Sequence, residues 1–223
     1  MPTDLWAWLS LAGLGLFHGL NPAMGWLFAV ALGLQEQRLS AVLAALPPIV
    51  LGHTAAIALT ALLIAALGIV IPTSILLTAT GAVLVLFTAW RIWRRFRHPR
   101  TRFRATKYEL ALWSFFMASA HGAGLMIAPL LVAILNSRST ALQASGHTAH
   151  AEVFTHSAGL ALAAVLVHSG ALYATMTTVA VIVYRELGLE LLRRAWINVD
   201  LIWIAVLGLT GLLTLLLGLR GLV

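Results

Sequence analysis

Six stretches of apolar residues, about 5–34, 41–70, 73–93, 109–135, 157–183 and 199–219, divide this chain, with only short polar segments between them. About 20 residues at ~1.5 Å rise carry a helix through a ~30 Å hydrocarbon layer, and every stretch reaches that length. The pattern predicts an all-α membrane protein of six transmembrane helices, forming a single integral membrane domain over 1–223. Ile71-Pro72-Thr73 is read as a tight turn, 94–108 as a basic loop, and 136–156 as a polar, histidine-rich loop.

The first apolar stretch is interrupted. It holds Gly13, Gly15 and Gly19, then Asn21-Pro22-Ala23-Met24-Gly25. Proline removes a backbone donor and disfavours helix at the preceding residue, so a break or kink is expected near Asn21. Discontinuous helices of this kind build many transporter sites. In the corresponding part of the fourth stretch stand Gly122, Gly124 and Pro129, and Pro47-Pro48 precedes His53 in the second.

Charge sets the orientation. Of 14 Lys and Arg, eight lie between Arg91 and Lys107, directly after an apolar stretch. That clustering reads as a topology determinant touching lipid head groups rather than as a nucleic-acid surface, despite the net charge of +7. With the 94–108 loop in the cytoplasm, 12 of the 14 positive residues face inward and only Arg138 and Arg220 face outward. Both termini and the 136–156 loop then lie outside, in a multi-pass protein of a bacterial cytoplasmic membrane. The first apolar run follows Asp4 and no Lys or Arg, unlike a signal peptide, so it is expected to remain as a helix. Three spans per half oblige the second half (about 109–219) to enter from the side opposite the first (about 5–93), which is an inverted-topology repeat. Trp6, Trp8, Trp90, Trp93, Trp113 and Trp196 fall near span ends, as in an aromatic belt.

The candidate chemistry lies in histidine. His18-Gly19 in the first span is matched by His121-Gly122 in the fourth, and His53-Thr54 in the second by His168-Ser169 in the fifth. All four histidines fall near mid-span, where ligating side chains are costly and mark function. Four neutral imidazoles suit Zn, Cu, Ni, Co or ferrous iron. Asn21 and Met24, a turn beyond His18, offer an oxygen and a thioether, while Thr54 and Ser169 are candidates to orient the rings. A second set, His147, His150, Glu152 and His156, occupies the outer loop and is read as a secondary metal site. Asp200, at the start of the sixth span, is a gate or proton candidate that also reads as a helix cap.

The absence of cysteine removes thiolate ligands and dithiol relays. No phosphate loop, nucleophile motif or carboxylate pair is present, so no catalytic residue is assigned.

Gly19-Leu20-Asn21-Pro22 resembles the Gly-x-Asn-Pro-Cys start of the thiol-transfer proteins of cytochrome c maturation. The six-helix plan likewise resembles the lysine-exporter superfamily, which also includes nickel/cobalt efflux proteins and hydrogenase/urease-accessory metal permeases. Ala23 replaces the cysteine, which excludes dithiol transfer here. His18 sits where the nickel/cobalt type carries a helix-one histidine, without the accompanying Asp residues that nickel selectivity would imply.

These readings point to a transporter of a transition-metal ion, with the lipid bilayer and a small ion as partners. Two alternatives stand beside it: a redox protein or metalloenzyme with histidine-ligated haem, copper or iron, and a proton-coupled exporter of a non-metal solute. On the membrane-depth reading, His18→Ala or His121→Ala abolishes activity, whereas His98→Ala in the basic loop leaves it unchanged. Equal sensitivity at His98 in the same activity assay would overturn that reading.

Overall fold

A computed structural model of the chain describes residues 2–67, 71–94, 106–144, 150–187 and 199–221. They are helical, with no strand among the described residues. Among the described residues eight α-helices follow one another: α1 Pro2–Leu20, α2 Trp26–Glu36, α3 Leu39–Leu67, α4 Thr73–Arg94, α5 Lys107–Ala120, α6 Ala123–Ala144, α7 His150–Ile182 and α8 Val199–Arg220. A turn of π-helix, Val183–Leu187, extends α7.

Two of the six apolar stretches are broken helices. The first divides into α1 and α2 around a 3-10 turn at Pro22–Met24, capped by the Asn21 side chain, whose oxygen accepts from the Ala23 amide at 2.9 Å. Gly25 then takes a left-handed conformation (φ 112°) that starts α2. This is the interruption expected from Asn-Pro. The fourth stretch divides into α5 and α6 at His121-Gly122, where Gly122 has φ 68° and the two segments bend by 63°. By contrast, α3 runs through Pro47 and Pro48, and α6 through Pro129, without ending. Each such proline leaves the carbonyl four residues earlier without its helical donor.

Thr106 starts α5 with a capping box. Its hydroxyl accepts from the Glu109 amide at 3.3 Å, and the Glu109 carboxylate accepts from the Thr106 amide at 2.6 Å. Arg38, in the short α2–α3 connection, pairs with Glu36.

Helices α3, α4 and α7 are each long and apolar enough to cross a membrane, and the bent α5–α6 pair makes a fourth candidate. Their outward faces are apolar: Leu51, Leu59, Leu86, Phe116 and Leu166 are more than 60% exposed. The interior is apolar as well, packed with small and branched residues such as Ala56, Ile57, Ala61, Ile127, Leu131 and Ala164. A chain that is apolar on both sides of its helices is matched to lipid outside and to close packing inside. Several hydroxyl groups on these helices are satisfied locally: Thr60, Thr78, Thr88, Thr175 and Thr214 each donate to the carbonyl four residues back, at 2.7–3.1 Å.

The packing partners follow a simple scheme. α4 pairs with α8, α3 with α7, α1 with α7, and α3 with α5. Ile57 and Leu59 therefore face opposite environments on one helix, the first fully buried and the second 63% exposed. Ile57→Ala is expected to destabilise by about 2–5 kcal/mol, and Leu59→Ala by less than about 0.5 kcal/mol. Thermal melts of the detergent-solubilised protein, followed by loss of the monodisperse peak, check the contrast.

Candidate metal centre

Three helices bring three histidines together. His18 comes from the last turn of α1, just before the break at Asn21; His53 from the middle of α3; His168 from the middle of α7. All three are buried, and their ligating nitrogens lie within 4.8 Å of one another. The ring centroids of His18 and His168 are 4.9 Å apart, those of His18 and His53 5.6 Å, and those of His53 and His168 6.0 Å. The His53 and His168 rings are nearly parallel at 14°, and His18 stands across both, at 66° and 80°.

Backbone carbonyls orient two of the rings. Nδ1 of His18 lies 2.8 Å from the carbonyl oxygen of Leu14, one turn back on α1. Nδ1 of His168 lies 3.2 Å from the carbonyl oxygen of Leu11, reaching across from α7 to α1. A carbonyl only accepts, so Nδ1 carries the proton in each case and the lone pair resides on Nε2. That is the usual arrangement of a metal-binding imidazole, with the second nitrogen anchored by a carbonyl or carboxylate. Nε2 of His53 and of His168 are buried and have no hydrogen-bond partner in the structure. Tetrahedral zinc with Zn–N of about 2.0–2.1 Å would separate its nitrogens by ~3.4 Å. From a spacing of up to 4.8 Å, each ring need lean inward by only ~0.8 Å.

Close contact between α1 and α7 holds two of the three ligands in register. Gly15, one turn before His18, lies against the carbonyl of His168 and the side chain of Ala171, so that a Cβ at position 15 would strike both. Gly13, on the outer side of α1, has nothing within 4 Å of the same position.

The fourth expected ligand, His121, is also buried but lies outside the group of three. It caps the end of α5, and its Nδ1 donates to the carbonyl of Met117 at 2.7 Å. It is close enough to His18 and His53 for their charges to interact. Asn21 is buried, but its oxygen is already engaged as the cap of the 3-10 turn. Met24 packs with Met176, Leu172 and Ile49 in a separate cluster. Thr54 is half-buried beside His53, and Ser169 is buried with its hydroxyl unpartnered. Ser169 therefore does not orient the His168 ring as expected; the Leu11 carbonyl does. Sequence inspection has no means of finding that carbonyl, because it is brought in by packing from 157 residues away.

Of the outer set, His147 lies outside the described residues. His150 and Glu152 belong to the first turn of α7, with side chains outside the description, and His156 is exposed on the same helix. Glu152 and His156, four apart, share a helix face, and His150 does not share one with Glu152. Asp200 is the second residue of α8, its side chain likewise outside the description, and Trp196 lies outside the described residues.

No protein-family model, curated protein or solved structure matches this chain.

The role of the α1–α7 contact can be tested without touching a ligand. Gly15→Ala is expected to force α1 away from His168 and to lower metal retention at least tenfold, with Gly13→Ala unchanged. Retention after desalting, measured by elemental analysis, checks both, and equal retention in the two variants would contradict the packing argument.

Proposed function

We propose that this protein is a six-helix membrane transporter that moves a transition-metal ion through a site formed by His18, His53 and His168. The observation carrying this reading is the convergence of three buried imidazoles whose ligating nitrogens lie within 4.8 Å. Thr60 and Thr175 on the same helices return their hydroxyls to their own backbone, whereas Nε2 of His53 and His168 are left without a hydrogen bond. An unpaired buried polar atom costs about 1–3 kcal/mol, so two at one place favour a bound ligand.

The packing scheme supports an inverted repeat of three plus three spans. An exchange of the two halves maps the α1–α7 contact onto the α5–α3 contact, and leaves α3–α7 and α4–α8 as pairs across the two-fold axis. Both first spans are broken close to a His-Gly step. In this reading α1–α2 and α5–α6 are the discontinuous helices found at transporter midplanes, and the halves rock about the triad to expose it alternately to each side. The 94–108 loop is cytoplasmic and the termini external, as the Lys and Arg distribution requires. The expected likeness to metal-exporting members of the lysine-exporter superfamily fits this reading.

The triad favours a bare ion over haem. Helices α1 and α7, which carry His18 and His168, are in direct contact at Gly15 and leave no slot between them for a macrocycle. A redox or oxygen-activating centre remains the second reading, since three histidines also serve that chemistry.

Proteoliposomes holding the full chain and a metal-responsive dye are the direct test. Wild-type protein is expected to carry a transition-metal ion across the bilayer, and His168→Ala to reduce the rate at least a hundredfold. Metal bound at the triad without transport would instead favour the redox reading.

A further inference from the structure

The triad contains no negative charge. Its three imidazoles are neutral donors, and no carboxylate joins them in the described structure. The described acidic side chains, Glu36, Glu109 and Glu186, are exposed. Metal centres that hold a divalent ion in a buried place usually offset its charge with thiolate, carboxylate or a bound hydroxide. The desolvation penalty of an ion grows with the square of its charge, so a divalent cation suffers about four times the penalty of a monovalent one.

Coordination number points the same way. Zinc takes four ligands, and nickel and cobalt four or more, so a divalent ion here would complete its shell with water, whereas copper(I) is satisfied by the three donors of the group. His121, the remaining buried imidazole, stands outside it and is anchored to the Met117 carbonyl. A three-coordinate, uncharged nitrogen site suits a soft monovalent d10 ion.

A second set of donors is consistent in kind. Met176 lies eight residues beyond His168 on α7, and Met24 six residues beyond His18 across the helix break. Both thioethers are buried in one cluster with Leu172 and Ile49. Thioether sulfur is polarisable and selects copper(I) over hard divalent ions.

We infer that the ion carried by the His18–His53–His168 site is monovalent copper(I), and that Met24 and Met176 are the next soft donors along its route. This rests on the metal-transport reading above.

The test uses the full chain in mild detergent under anaerobic conditions. Samples are loaded separately with copper(I) kept reduced by ascorbate, with silver(I) as its redox-inert counterpart, and with Zn, Ni or Co as divalent ions. Each is desalted and analysed for metal beside a His53→Ala/His168→Ala variant. The expected result is about one copper or silver ion per wild-type chain, lost in the variant. Divalent ions are expected to need at least a tenfold excess to displace silver. X-ray absorption of the copper-loaded wild type is expected to report three nitrogen neighbours, and it decides alone if the double variant fails to fold. Displacement of silver by an equal concentration of a divalent ion would overturn the monovalent assignment while leaving the metal site intact. Retention of no ion at all would instead remove the metal-transport reading, and the assignment with it.

Discussion

Everything in this fold is arranged around the cost of placing imidazole rings in an apolar interior. A buried polar atom without a partner is unfavourable by an amount comparable to a lost hydrogen bond, and helical backbone has few groups to spare. The protein meets half of the demand with carbonyl oxygens. Leu14 takes the Nδ1 proton of His18 from one turn back, and Leu11 takes that of His168 from the neighbouring helix. Nε2 of His168, and that of His53, is then left without a hydrogen bond. Thr60 on α3 and Thr175 on α7 show the alternative, with the hydroxyl returned to its own helix. Imidazole is too large and too rigid to satisfy both nitrogens in that way, and the leftover valence collects where α1, α3 and α7 meet.

That meeting point depends on how closely the helices approach. In lipid there is little hydrophobic drive between helices, so van der Waals contact and small residues set the separation. Gly15 places α1 directly on the His168 turn of α7. The breaks at Asn21 and at His121-Gly122 end the flanking helices next to the histidines instead of carrying them straight across. Irregular backbone at such depth is stable only when enclosed by protein or facing a cavity. Here Asn21 is covered and its side chain caps the turn, which explains why the residue is buried without serving as a ligand.

The proposed cargo follows from electrostatics more than from shape. A ring of neutral donors in a low-dielectric interior tolerates a single positive charge far better than two. Three histidines are gathered, and one is set apart at the α5–α6 bend. His121 lies within electrostatic reach of the group yet is tied to its own helix by the Met117 carbonyl.

Hydropathy and proline placement alone determined the helical class and the interruption after His18. These are local matters: a run of apolar residues has few options besides helix, and Asn-Pro-Ala-Met-Gly cannot continue one. The second interruption was less legible, because Pro129, its most visible signal, lies inside α6, while the bend falls seven residues earlier at Gly122. Which histidines converge was decided only by tertiary structure. Similar placement within four apolar stretches says nothing about which faces turn toward one another, and His121 is buried like the others but lies outside their centre. The orienting carbonyls of Leu11 and Leu14 were likewise invisible, since every residue carries a carbonyl and only packing determines which one meets a ring.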